Sequence, residues 1–190
     1  MVAQDRGGTL CARPKIRKPR IYQMQKWQDL LQRRKAIRLK NFDYSNSDYV
    51  YFITICARHL SSPFSDSRLA HEVLKVLLSL REQGRIFLYC YCLMLDHLHT
   101  AMSPCISSRR GRSEDLSQLI GDFKSYTTRL SWKHGVKGKL WHRSFYDHIG
   151  RRGEDLVAIC EYILNNPARK GLVEDPNNWP YSGLLDPLPL

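Results

Sequence analysis

Ile86-Phe-Leu-Tyr-Cys-Tyr-Cys-Leu-Met-Leu-Asp-His-Leu-His-Thr-Ala-Met102 is the stretch on which the fold turns. It reads as one long extended segment, rich in aromatic and aliphatic residues. Residues two apart in a strand share a side, so His97 and His99 project together while Leu98 points into the core. Two neutral imidazoles at that spacing can hold one divalent ion once a third ligand is added. Surface or satisfied core histidines would show the same spacing. The apolar Leu93-Met94-Leu95 leading into the pair favours the exposed end of a central strand. Cys90 and Cys92 raise the question of zinc, but by strand parity they face away from the histidines unless a bulge or bend intervenes, and no structural zinc site is expected.

Outward from this stretch, periodicity gives the remaining elements. Tyr49–Ala57 is a β-branched and aromatic strand. A helix is expected over Arg68–Gln83, with Ser65 and Asp66 as caps, Leu69, Val73, Leu74, Val76, Leu77 and Leu80 at core spacing, and Gly84 ending it. Asp115–Lys133 is a second amphipathic helix, with Leu116, Leu119, Phe123, Tyr126 and Leu130 as its apolar stripe. Lys139–Ile149 is extended. Glu154–Asn166 is a third helix, stopped by Pro167. Pro176–Leu190 reads as irregular. The order suits an α+β domain, most simply a ferredoxin-like or RRM-like antiparallel sheet with helices packed on it.

The 190 residues suffice for one domain with an extension. The formal net charge is +12 and unevenly placed: residues 1–40 carry 12 Lys and Arg against Asp5 and Asp29, whereas the rest is nearly balanced. A basic extension over 1–40, partly flexible, therefore precedes a domain over 41–190. Such a run is either a solvated tail or a tether for a polyanion. No segment has the length and apolarity of a membrane span or a signal peptide, so no membrane partner and a cytoplasmic location are expected. The six cysteines have no CxxC spacing and are expected to be free thiols.

Ten tyrosines offer candidate nucleophiles. Tyr126 falls on the apolar stripe of its helix, so packing accounts for it. Its neighbours Lys124 and Arg129 could grip a phosphate backbone. Tyr162 stands at the edge of the stripe Leu156, Ile159, Cys160, Ile163 and Leu164, and Asn166 shares its face one turn on. A phenol beside a carboxamide suits a site where one attacks and the other ligates, and equally a half-buried amphipathic tyrosine. Spacing alone leaves both readings open.

Five blocks, in order, resemble the single-tyrosine HUH transposases, and specifically the REP-associated tyrosine transposases of bacteria. They are Tyr91–His99, Phe123–Arg129, Leu140–His148, Glu161–Val173 and Trp179–Ser182. The resemblance implies that His97 and His99 bind metal, that Tyr162 is the nucleophile with Tyr126 structural, and that Asn166 is a third ligand. It implies a ferredoxin-like or RRM-like fold, in agreement with the element order. Leu95 departs from the family, many of whose members have proline there. Residues 1–40 have no counterpart.

The expected activity is that of a metal-dependent tyrosine transposase: single-strand DNA cleavage and rejoining through a 5′-phosphotyrosine, at hairpin or palindromic sequences. Mg2+ or Mn2+ is the expected cofactor, and single-stranded or hairpin DNA the partner of a monomer or homodimer in the bacterial nucleoid. Lys124, Arg129, Arg143, Arg151 and Arg152 are candidates to grip the DNA, with Trp141 and Tyr146 as stacking surfaces. The alternatives are a non-catalytic hairpin-DNA-binding protein derived from a transposase, and a metal-dependent phosphodiesterase that uses water.

Overall fold

A computed structural model describes residues 42–58, 62–106, 114–150 and 156–189. The expected strand over 86–102 is two strands, β2 (Ile86–Leu93) and β3 (His97–Pro104), folded back on each other. The turn between them hides in apolar sequence. Met94 is buried, and its N–H donates to the His97 carbonyl at 2.7 Å. The turn's carbonyls are taken by neighbours: the Phe64 N–H donates to Leu95 and the Ala57 N–H to Asp96. With its backbone groups satisfied by tertiary contacts, the turn needs no Gly, Pro or Asn to announce it.

With β1 (Tyr51–Cys56), β4 (Tyr146–Ile149) and β5 (Ser182–Leu184), the hairpin completes an antiparallel sheet in the order β4-β1-β3-β2-β5. Helix α1 (Ser67–Glu82) joins β1 to β2, and α2 (Leu116–Trp132) joins β3 to β4. This β-α-β-β-α-β order is the ferredoxin-like arrangement expected from the sequence. Asp66 caps α1, accepting from the Arg68 N–H, and Asp115 caps α2, accepting from Ser117 and Gln118.

Strand parity divides the core in two. Tyr51, Ile53, Ile55, Leu88, Leu98 and Met102 point to one face and pack with Leu69, Val73, Leu77, Leu116, Leu119 and Phe123 of α1 and α2. Phe52, Cys90, Cys92 and Ala101 point to the other face, where they meet Ile159, Cys160, Tyr162 and Ile163 of α3 (Leu156–Leu164). Because both faces are covered, β1 reads as an unbroken apolar run. Truncating a fully buried leucine such as Leu98 in such a core costs about 2–5 kcal/mol.

Three further expectations need correction. The buried side of α2 runs through Leu116, Leu119, Ile120, Phe123, Thr127 and Ser131, so Tyr126 lies off the stripe and is 50% exposed. The third helix stops at Leu164, not Asn166. Pro167 sits in the first turn of a short helix α4 (Asn166–Arg169), where its missing N–H costs nothing. The C-terminal segment is not wholly irregular, since β5 adds an edge strand to β2. Gly183 lies opposite Tyr91, and a Cβ there would come within 2.8 Å of the Tyr91 ring.

The cysteines among the described residues are free, and Cys11 lies outside them. No helix among the described residues is long and apolar enough to cross a membrane. The proposed extension over 1–40 lies outside the described residues.

Candidate metal and strand-transfer site

His97 and His99 stand at the start of β3, on the sheet face covered by α3, with Leu98 turned into the opposite core. Their Nε2 atoms converge to 2.9 Å. Each ring is held from behind. Thr54 Oγ1 lies 2.8 Å from His99 Nδ1, and Asp96 Oδ1 lies 2.6 Å from His97 Nδ1. In the tautomer that can ligate through Nε2, each Nδ1–H donates to its oxygen, the outer support that metal-bound histidines ordinarily have.

Burial, with His97 and then Arg169 as further contributors, pushes the His99 imidazole down to about 3. His99 is therefore neutral near pH 7, as a ligand must be. Two nitrogens 2.9 Å apart suit an ion about 2.1 Å from each, seen at nearly a right angle. The pair thus fits a divalent ion with oxygen ligands completing the shell. Among the described residues no three His, Cys, Asp or Glu side chains cluster to hold a metal.

Cys92 corrects the parity reading. The hairpin turn makes it the cross-strand partner of His99, on the same face rather than the opposite one. Burial pushes the Cys92 thiol up to about 12, and its S–H is directed to the Met94 sulfur at 3.6 Å.

Tyr162 is buried at this face, and Asn166 is buried one turn further on. Asn166 Nδ2 donates to the carbonyls of Tyr162 and Ile163, at 3.1 and 3.2 Å. That leaves the amide oxygen, on the opposite side of the group, as the atom able to ligate. Over the Tyr162 ring lies Arg169, its Cζ 4.3 Å from the ring centroid. Arg169 and Tyr162 thus form one connected pair on this side of the molecule.

The expected DNA-gripping residues are scattered. Lys124 Nζ donates to the carbonyls of Arg143 and Ser144, at 2.9 and 3.4 Å, tying α2 to that segment. Arg129 is exposed, over the Tyr126 ring, on the helix layer opposite the histidines. Arg143 is exposed beside His142, whose N–H donates to Cys56, the β1 residue paired with His97. Arg151 and Arg152 lie outside the described residues.

Trp141 is not a stacking surface. It is 2% exposed, and its indole N–H donates to Thr127 Oγ1 at 2.8 Å, because the chain near it bridges to Ala57 rather than facing solvent. Tyr146 is 47% exposed and pairs with Thr54, which puts it on the histidine face.

Three residues escaped sequence reading. Thr54 had one signal, a hydroxyl in an apolar strand, but its partner is 45 positions away. Asp96 adjoins the histidines. Arg169 lies seven residues beyond Tyr162, within a block noted for other residues.

No family model matches the chain. It is 24% identical to an uncharacterized protein of Haemophilus influenzae, over 70% of this chain and 88% of that one. It is 25% identical to the REP-associated tyrosine transposase of Escherichia coli, over 70% of this chain and 74% of the relative. A solved structure of a REP-associated tyrosine transposase bound to a REP hairpin matches with a TM-score of 0.57 at 20% identity. That match covers 76% of this chain and 82% of the other, and it bears on the fold.

Proposed function

We propose that this relative of the REP-associated tyrosine transposases cuts and rejoins DNA strands at hairpin-forming sequences, with Tyr162 as nucleophile. The observation that carries the reading is the pair of imidazole nitrogens converging at 2.9 Å, each ring held from behind, on the face covered by the Tyr162 helix. The solved relative's REP hairpin supports a hairpin as substrate.

His97, His99 and Asn166 would hold a divalent ion, Mg2+ or Mn2+, whose chemistry is to polarise the scissile phosphate as a Lewis acid. Tyr162 Oη attacks phosphorus in line with the 3′ oxygen. Its phenolic proton passes to water, the P–O3′ bond breaks, and the 3′ oxygen leaves with the bonding pair and takes up a proton. The products are a 5′-phosphotyrosine and a 3′-hydroxyl. A DNA 3′-hydroxyl attacking the phosphotyrosine reverses these events and rejoins strands without ATP. Packing of the Tyr162 ring between the sheet and Arg169 limits its motion and favours a single attack geometry. Arg143 and the exposed Tyr146, with Lys124, Arg129, Arg151 and Arg152, are proposed to hold the strand, and residues 1–40 to tether it.

The test uses full-length protein, Mn2+ or Mg2+, and a hairpin oligonucleotide with single-stranded tails. A denaturing gel should reveal a protein–DNA adduct that disappears in Tyr162→Phe and persists in Tyr126→Phe. An adduct that survives Tyr162→Phe contradicts the nucleophile assignment. Cleavage without any adduct points to water as the nucleophile, and tight binding without cleavage in either metal to a binding protein.

A further inference from the structure

Arg169 carries a guanidinium nitrogen that no group of the described structure satisfies. Its guanidinium lies against the Tyr162 ring, 4.3 Å from Cζ to centroid, and its Nη1 is buried without a hydrogen-bond partner. Arginine stays protonated throughout the physiological range. A buried N–H of a cation left unpaired is costly, so such groups normally meet an anion. The cation–π contact satisfies the flat face of the guanidinium but none of its in-plane donors. The side chain springs from the last residue of α4, whose N–H donates to the Asn165 carbonyl at 3.0 Å, so its root is fixed relative to Tyr162 and Asn166.

We propose that Arg169 is a phosphate-binding residue, its guanidinium donating to a non-bridging oxygen of the phosphodiester presented to Tyr162. This rests on the reading of Tyr162 as nucleophile. No proton is transferred in the role: arginine remains a cation, the phosphate keeps its negative charge on binding, and the hydrogen bonds shorten as charge builds on the non-bridging oxygens during attack. After cleavage the same donors face the phosphotyrosine, holding it for the incoming 3′-hydroxyl. The competing view is that Arg169 only clamps the tyrosine ring.

Substrate charge separates the two. Full-length wild type, Arg169→Gln and Arg169→Lys are compared on a tailed hairpin oligonucleotide and on copies carrying one uncharged methylphosphonate linkage, walked along the single-stranded positions. Affinity is read by fluorescence anisotropy in EDTA, and adduct formation by single-turnover assay in Mn2+. Arg169→Gln should weaken metal-free binding of the natural strand about 10-fold and slow adduct formation on the order of 100-fold. Both losses should shrink towards none at one linkage position, the phosphate that Arg169 contacts, and Arg169→Lys should recover part of each.

Equal losses on charged and uncharged linkages throughout would make Arg169 a clamp and overturn the proposal, as would a Gln variant within two-fold of wild type in both assays. Absence of any adduct in wild type would sink the Tyr162 reading instead, while the metal-free binding comparison still decides whether Arg169 takes a phosphate.

Discussion

Thr54 shows how much of the site depends on a single contact. Its hydroxyl is 2.8 Å from His99 Nδ1, and it fixes both the orientation and the proton position of that ring. Thr54→Val keeps the shape and removes the oxygen, leaving a buried N–H unpaired. The Mn2+ concentration for half-maximal adduct formation is expected to rise by about 10–100-fold, as loss of an outer-shell partner does elsewhere. An unchanged metal titration would mean that Thr54 does not support the ring. The histidines themselves were legible in the sequence, because a period of two is local. Thr54 and Arg169 were not, because their importance comes from what the sheet and α4 bring next to them.

Elements with capped ends and clear periods were legible from sequence: α1 and α2 begin where their aspartates stand. The hairpin was not, since tertiary partners satisfy its turn. Neither was β5, whose short Ser182–Leu184 run follows a Pro-rich segment. What secures that C-terminal segment is Asp186. Its carboxylate accepts from Arg81 Nε and Nη2, the latter at 2.7 Å, and from the Leu88 N–H at 2.7 Å.

Burial pulls the Asp186 carboxyl upward, but the Arg81 and Leu88 hydrogen bonds outweigh it and hold it below 3.8. A carboxyl depressed in the folded state stabilises above its unfolded value and loses that contribution as pH falls through the folded one. Arg81 is partly exposed, so the contribution is on the order of 1 kcal/mol. Urea midpoints of wild type should exceed those of Asp186→Asn near pH 6, with the gap closing below about pH 4. A gap independent of pH would contradict this account of the carboxylate.

On the scale of the whole molecule, charge and chemistry are divided. The histidine face belongs to the domain, whereas residues 1–40 hold most of the net charge of +12. Removing residues 1–40 should weaken hairpin binding and flatten its dependence on salt, by roughly 0.9 in log–log slope for each phosphate no longer neutralised. Adduct formation from the bound complex should continue at its former rate. A slope unchanged by the truncation would make the extension a bystander.

The ferredoxin-like frame explains why the parts meet: β3 runs through the middle of the sheet, and α3 packs on the face to which its histidines point. The central claim is that Tyr162 becomes joined to DNA. Digesting the protein–DNA adduct with nuclease and protease, then sequencing the modified peptide by mass spectrometry, tests it most directly. The nucleotide should sit, through its 5′ phosphate, on the tyrosine of the peptide containing Tyr162. A modification on Tyr126 or any other residue, or on a 3′ phosphate, would contradict it.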